Sequence, residues 1–149
     1  MKSLLRSIFG TKIEYTGDVD RIDFNQAHEW LSNTYWSRGI SRQRIEQGFR
    51  ASTAVVSAHS NGQMKGIARC LCDTTRFGYI ADVFVAPDVR GRGIARDLLR
   101  HLIQRPDLRQ TEHWYLMTRD AHDVYRRLGF ETCEKPERWM HLDHRKGRK

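Results

Sequence analysis

Cysteine is scarce in this chain, and its number is odd. The three cysteines, Cys70, Cys72 and Cys133, leave at least one thiol unpaired, so a disulfide framework is excluded. Cys70 and Cys72 have the spacing that places two strand residues on one face. No histidine joins them at the spacing of a metal site. We therefore expect reduced, packed thiols in a cytoplasmic protein, and no bound metal.

Long apolar runs are missing as well. No stretch approaches the roughly 20 apolar residues that cross a bilayer, so no membrane segment is expected. Residues 1–10 contain two leucines, an isoleucine and a phenylalanine but lack the long apolar region and small-residue cleavage site of a signal peptide. Internal repeats, linkers and low-complexity blocks are not found. The 149 residues therefore predict a single domain, residues 1–149.

Acidic residues are outnumbered, and the net charge is +8. Residues 90–109 hold six arginines against two aspartates, residues 144–149 hold two arginines and two lysines, and the rest of the chain sums to zero. We expect the first cluster to serve an anion site and the second to be a solvated, disordered tail. Nucleic-acid binding through the tail is the less favoured alternative, since a basic cluster alone gives non-specific affinity.

The order of the predicted elements is typical of a mixed α/β domain. Asp23 and Gln26 have capping-box spacing at the start of a helix, and a second short helix is expected after Ser41. The other predicted elements are strands at 53–60, 64–73, 77–86, 114–118 and 139–142, a tight turn at Asn61-Gly62, a helix at 91–104, and a helix from an Asp120 cap to Gly129. Such an order predicts helices packed on a central sheet.

Residues 83–96 are the most informative stretch, because a β-rich segment enters a glycine-rich bend that opens directly into a helix. Gly91 and Gly93 let the backbone approach a ligand without a Cβ in the way. The N–H groups of the first helical turn then face any anion placed there. One basic stripe follows the helix: Arg92, Arg96 and Arg100. A plain strand–turn–helix corner is the alternative interpretation.

Two motifs here resemble the GNAT superfamily of N-acetyltransferases. Val85-x-Pro87 followed by Arg90-x-x-Gly93-x-Ala95 is similar to the acyl-CoA pyrophosphate loop of that family at every defined position. Downstream, residues 125–130 resemble the family's tyrosine-bearing helix that ends in Leu-Gly-Phe. The resemblance covers roughly residues 20–142 and extends to a group of bacterial members through residues 34–37. It implies an α/β fold with a mixed, mostly antiparallel central sheet flanked by helices.

The same resemblance implies acetyl-CoA as the co-substrate. Backbone amides of a splayed strand would bond the acetyl oxygen and the pantetheine arm, and the loop would bind the pyrophosphate. The residues implied to bind it are Val83, Phe84, Val85, Arg90, Gly91, Arg92, Gly93, Ile94, Ala95 and Arg96. One departure stands at residues 118–120, Thr-Arg-Asp, where many relatives have an asparagine that contacts the cofactor. An aspartate cannot donate as that amide does.

Acyl transfer to an amine requires a neutral amine, a polarised carbonyl and a proton for the departing thiolate. Asp82 lies in an otherwise apolar strand, next to where the resemblance places the thioester, and is the preferred general base. A buried ion pair or a carboxylate that orients the substrate is the alternative. Glu29 and Asp120 are weaker base candidates. By resemblance Tyr125 is the general acid, although its helical position also suits a core tyrosine.

By analogy with the family, the acceptor is expected to bind between residues 33–40 and the strand around Asp82. Tyr35, Trp36 and Arg38 are the candidates for substrate binding. The aromatic pair could hold an ammonium by cation–π attraction, whereas Arg38 would suit a carboxylate. Packing of Trp36 on the first helix is the alternative.

The predicted activity is acetyl-CoA-dependent transfer of an acetyl group to a primary amine by direct attack in a ternary complex, without a cysteine acyl-enzyme. The acceptor is a small-molecule amine or a protein amine, and no membrane partner is expected. A non-catalytic acyl-CoA-binding regulatory module is the alternative function. An exposed edge strand near the C-terminus could also pair two subunits into a homodimer.

Overall fold

A six-stranded sheet forms the centre of the molecule in the computed structural model, which describes residues 6–8 and 11–147. The strands lie side by side in chain order: β1 (Arg6–Ile8), β2 (Thr11–Thr16), β3 (Ala54–Ser60), β4 (Gln63–Cys72), β5 (Phe77–Val85) and β6 (His113–Tyr115). Neighbouring strands are antiparallel from β1 to β5, and β6 runs parallel to β5. The predicted mixed, mostly antiparallel sheet is confirmed.

In the described part of the chain, four helices flank this sheet: α1 (Phe24–Leu31), α2 (Arg42–Arg50), α3 (Ile94–Ile103) and α4 (His122–Arg126). Short 3₁₀ turns lie at Val19–Arg21, Pro87–Val89 and Pro136–Arg138. The Asp23 carboxylate accepts from the Gln26 N–H at 3.0 Å, and the Ser41 hydroxyl caps α2 in the same way. The predicted Asp23 cap and the helix expected after Ser41 are therefore present, and each cap satisfies an N–H that has no partner within its helix.

Apolar side chains from the two faces of the sheet form two core clusters. One cluster lies under α3, where Leu98, Leu99 and Leu102 are fully buried. The other lies under α1 and α2, around Leu31 and Phe49. All seven residues of β3 are buried, as expected for a central strand that is covered on both faces. No helix among residues 6–8 and 11–147 is long and apolar enough to cross a membrane.

The helix predicted at 91–104 begins three residues later, at Ile94. Gly91 has φ = 76° and Gly93 has φ = 80°, a left-handed conformation that no helical turn contains. The predicted Asp120 cap of α4 is wrong as well. The Thr118 hydroxyl accepts from the Ala121 N–H at 3.0 Å, and the N-cap residue of α4 makes no side-chain cap.

The C-terminal strand predicted at 139–142 is wrong, because these residues belong to no strand or helix. Trp139 packs edge-on against Tyr115 with ring centroids 4.7 Å apart, whereas Met140 and Leu142 are exposed. The last strand, β6, covers 113–115 rather than 114–118. Conversely, β1 and β2 were not predicted, although Ile13 and Tyr15 of β2 alternate with polar residues in the pattern of a half-buried strand. The expectation about a signal peptide falls partly on residues 1–5, 9 and 10, outside the described part of the chain.

Gly48 offers a test of helix energetics close to the site described below. It lies inside α2 at an ordinary helical φ, and an added Cβ would come no closer than 3.7 Å, to the Arg69 side chain. Because glycine costs a helix interior roughly 0.5–1 kcal/mol relative to alanine, Gly48→Ala should raise the free energy of unfolding by about that amount. Urea denaturation measures it, and a loss of stability would show that the space beside Arg69 is tighter than described.

Candidate active site

A bulge in β5 lies at the centre of the candidate site. Ile67 of β4 pairs with Phe84, but Arg69 pairs with Ala81, so Asp82 and Val83 together lie opposite one residue of β4. Asp82 has φ = 53°, which is uncommon for a residue with a side chain. An extra residue of this kind bends a strand and turns its side chains in new directions.

Beyond this bulge, β5 runs along a gap. Its described pairing with β6 ends at Tyr79 and Tyr115, and β5 continues to Val85. The Ala86 N–H donates to the Lys65 carbonyl of β4 at 2.8 Å. Since successive peptide groups of a strand point to opposite sides, the Val85 N–H and carbonyl face the gap. The strand thus presents backbone groups where a ligand could bond them.

At the end of the gap, the chain makes the 3₁₀ turn Pro87–Val89, passes through Gly91 and Gly93, and enters α3. Gly93 is the N-cap of α3 and has no side chain to satisfy the first helical N–H groups. Those N–H groups and the helix dipole form an anion site. The glycine bend and the uncapped helix start that the loop motif predicts are therefore present, and phosphate binding there stays a prediction.

The arginines of this loop have different partners. Arg90 folds back on the strand, donating from Nε to the Val85 carbonyl at 2.9 Å and lying 5.2 Å from the Phe84 ring centroid. Arg96 pairs with Asp97 at 3.2 Å, and the side chain of Arg92 is exposed. Arg90 therefore fastens the loop to the strand, while the others remain at the surface near the anion site.

Lys65 and Asp88 form an ion pair of 2.8 Å on the outer side of the loop. The hydrogen bond from Lys65 is the main cause that lowers the pKa of the Asp88 carboxyl. Two open clefts of about 340 and 770 Å³ border this pair, and neither is lined by Asp82 or by Tyr125. These clefts lie along the β3–β4 hairpin. They are therefore distinct from the gap beside β5, where Asp82 lies.

Tyr125 is half-buried on α4 and packs against the α3-side core and the Phe130 ring. Burial, with smaller contributions from the nearby Tyr35 and Asp120, raises its pKa to about 12. Its phenol therefore keeps its proton throughout the neutral range and remains a hydrogen-bond donor.

The predicted acceptor residues Tyr35 and Trp36 meet the bulge. The Trp36 indole N–H donates to Asp82 Oδ1 at 3.1 Å, and the Tyr35 and Trp36 rings are edge to face, 5.0 Å apart. The Tyr35 hydroxyl accepts from the Arg119 N–H at 2.8 Å, which connects this segment to the start of α4. Arg38 is exposed and forms no described hydrogen bond or ion pair within residues 6–8 and 11–147.

Arg69, Tyr79 and Arg119 complete the cluster, and sequence reasoning missed all three as site residues. Arg69 Nε donates to Asp82 Oδ2 at 2.6 Å. Burial is the main cause that raises the pKa of Tyr79, and the Asp82 charge adds to it. The available signal for the Arg69–Asp82 pair was one basic residue within the apolar run 66–72 and one acidic residue within the apolar run 79–86. Nothing in the local sequence marks Arg119.

A protein-family model for the GNAT acetyltransferase domain matches residues 51–132, which is more than half of the chain. The chain belongs to the GNAT acetyltransferase family. The matched part contains the bulge, the phosphate-binding loop, α3 and Tyr125. The resemblance read from the loop and from residues 125–130 is thereby confirmed.

Solved structures agree with this GNAT assignment. A protein of Xanthomonas campestris pv. campestris assigned to the GNAT family is 30% identical, with a TM-score of 0.82, over 88% of this chain and 92% of that one. A predicted acetyltransferase of Clostridium acetobutylicum, solved with acetyl-CoA, has a TM-score of 0.68 at 19% identity over 92% and 99% of the chains. The second likeness supports the fold alone.

An uncharacterized N-acetyltransferase of Methanocaldococcus jannaschii is 32% identical over 92 residues. The aligned part is 55% of this chain but only 41% of that relative. The GNAT domain here thus matches less than half of the relative's length.

Among the residues that the structure describes, no group of three or more histidine, cysteine, aspartate or glutamate side chains could hold a metal ion. The described cysteines are free thiols, and burial raises the pKa of Cys70 to about 11. A thiol of this kind is a poor nucleophile at neutral pH.

Proposed function

We propose that this protein is an acetyl-CoA-dependent N-acetyltransferase that acetylates a primary amine by direct attack in a ternary complex. The observation that carries the proposal is the continuous line of groups from the anion site to Tyr125. Val85 presents its N–H to the gap, Trp36 bonds Asp82 in the bulge, and Tyr35 lies near Tyr125. In this proposal, phosphate binding, carbonyl polarisation and proton donation lie along one gap.

The residues of the loop fit acetyl-CoA. Two left-handed glycines precede an α3 N-terminus that no side chain caps, which suits a pyrophosphate bound by backbone N–H groups. Residues 90–96 would hold it, with Arg92 and Arg96 contributing charge. The peptide groups of 83–85 would bond the pantetheine arm. Acetyl-CoA supplies the activated acyl group, and the protein supplies its position.

Two groups of the chain act directly on the reacting atoms in this proposal. The Val85 N–H, facing the gap, would donate to the acyl oxygen, where a preorganised donor can contribute about 3 kcal/mol to the transition state. The Tyr125 phenol would protonate the departing thiolate, since it remains protonated at neutral pH.

The test is the release of CoA thiol from acetyl-CoA, corrected for hydrolysis, across polyamines, amino acids, arylamines, and peptides with a free N-terminus or a free lysine. We expect saturable, acceptor-dependent release with at least one class. Saturable acetyl-CoA binding without release from any class would favour the regulatory module instead.

Two predictions about assembly and location remain proposals. We propose that two copies pair at the β6 edge. Phe77 is exposed beside this edge, and Trp139 and Met140 are exposed on the segment that follows β6. Light scattering that shows only monomer at high concentration would contradict it. The free thiols accord with the proposed cytoplasmic location.

A further inference from the structure

Both oxygens of the Asp82 carboxylate already hold protein donors. Oδ2 accepts from Arg69 Nε at 2.6 Å, and Oδ1 accepts from the Trp36 indole at 3.1 Å. The Asp82 and Arg69 side chains are only 15% and 20% exposed, so solvent replaces little of this pairing. A proton taken by this carboxylate would cancel the charge that pairs with Arg69 and would lie on an oxygen that already accepts a hydrogen bond.

Arg69 is itself held by α2 and by the residues that follow it. Its Nη1 approaches the Ser52 hydroxyl at 3.3 Å and the Gly48 carbonyl at 3.5 Å, and its guanidinium lies 5.7 Å from the Phe49 ring centroid. Asp82 therefore connects three parts of the molecule: the strand bulge, helix α2 through Arg69, and the α1–α2 segment through Trp36. A positioning role explains all of these contacts.

The charged and titratable groups around the site do not favour an ammonium. Arg69 faces Asp82 from β4, Tyr79 lies near it on β5, and Tyr35 of the α1–α2 segment lies near Tyr79. From the start of α4, the Arg119 guanidinium lies 4.0 Å from the Tyr35 ring centroid, where a substrate cation would otherwise bind. Asp120 is exposed and pairs with Arg119 at 3.4 Å.

We propose that Asp82 is a positioning residue that holds the Trp36 ring at the side of the acceptor site. The acceptor then enters the site as a weakly basic primary amine that is already neutral. This inference rests on the proposed acetyl transfer. It names peptide α-amines and arylamines as the acceptor class and makes lysine ε-amines poor acceptors.

The pKa of the acceptor's ammonium form determines how strongly an α-amine is preferred over a lysine ε-amine. At pH 7 a lysine ε-amine with a pKa of about 10.4 is neutral roughly once in 2,500 molecules, whereas an α-amine with a pKa of about 7.7–8.0 is neutral roughly once in 10. Without a base in the site, this difference alone favours the α-amine by a few hundredfold.

The deciding experiment compares two peptides of the same sequence. One has a free N-terminus and an acetylated lysine, and the other has an acetylated N-terminus and a free lysine. We expect kcat/KM for each to rise with pH up to the pKa of its own amine, so that the two midpoints differ by about 2.5 pH units. Midpoints at one common pH, set by the enzyme, would overturn the proposal.

Variants separate positioning from proton transfer. Asp82→Asn removes the ion pair, and Trp36→Phe removes the indole donor but keeps a ring. We expect both to raise the acceptor KM about tenfold, with kcat within a few-fold of the wild type and the pH profile unchanged. If Asp82→Asn alone lowers kcat by about 100-fold or more and abolishes the rise of kcat with pH, Asp82 is the base and the proposal is wrong.

A second readout does not depend on turnover. The Trp36 indole ¹⁵N–¹H resonance, assigned by its disappearance in Trp36→Phe, should be protected from exchange in the wild type and shifted in Asp82→Asn. Rapid exchange in the wild type would overturn the positioning role. If the resonance behaves as expected but no amine supports CoA release, it is the proposed acetyl transfer that fails.

Discussion

Tyr125→Phe should lower kcat about 100- to 10,000-fold while leaving acetyl-CoA affinity nearly unchanged. The variant removes only the phenol oxygen, the proposed proton source for the departing thiolate. Because burial raises the pKa of Tyr125 to about 12, the wild-type kcat should show no alkaline loss from this group below about pH 10. Steady-state rates across pH and calorimetric binding of acetyl-CoA measure both effects.

Tyr115→Phe is the matched control for this variant. Tyr115 lies on β6, and its ring packs on Phe77 and Trp139. Removing its hydroxyl leaves these ring contacts in place, so we expect kcat to remain within about twofold of the wild type. Equal losses in both variants, or an unchanged rate in Tyr125→Phe, would contradict the assignment of Tyr125 as general acid.

Gly78→Ala should destabilise the protein by about 1–3 kcal/mol, because the new methyl group has no room. An added Cβ would lie under 3.0 Å from three ring atoms of Trp114, which covers Gly78 from the neighbouring strand. The ring must move away, and β6 has only three residues to keep its pairing. Urea denaturation measures the loss, and a weaker acetyl-CoA affinity should accompany it, since β6 borders the gap.

Gly48→Ala serves as the control for this substitution, since it adds the same methyl group with ordinary space around it. Opposite signs of the two changes in unfolding free energy are expected. Equal stability of Gly78→Ala and the wild type would mean that Trp114 does not cover Gly78 in solution.

Local sequence predicted the parts of the molecule that local chemistry controls. Asp23 and Ser41 cap their helices because a short side chain there bonds an N–H two or three residues ahead. Gly91 and Gly93 predicted the bend before α3, since positive φ costs glycine little. The positive φ of the same glycines also explains why α3 begins at Ile94 and not at the predicted residue 91.

Elements that depend on distant partners were predicted poorly. Strand β2 forms because β3 offers it an edge, β1 forms on the edge of β2, and residues 139–142 form no strand although their composition suits one. Whether such a segment becomes a strand depends on which backbone groups find hydrogen-bond partners, and residue spacing along the chain does not reveal those partners. Asp82 was similarly visible as a charge in an apolar strand, but its partners were not.

By itself the sequence determined the family, the glycine bend before α3 and the choice of Asp82 and Tyr125 as candidate residues, because each depends on residue types at short, defined separations. Only the tertiary structure decided what those residues face. The bulge directs Asp82 toward Arg69 and Trp36, and the Arg119 guanidinium covers Tyr35. These contacts join residues 13 to 84 positions apart, and their distances are set by the packing of whole elements.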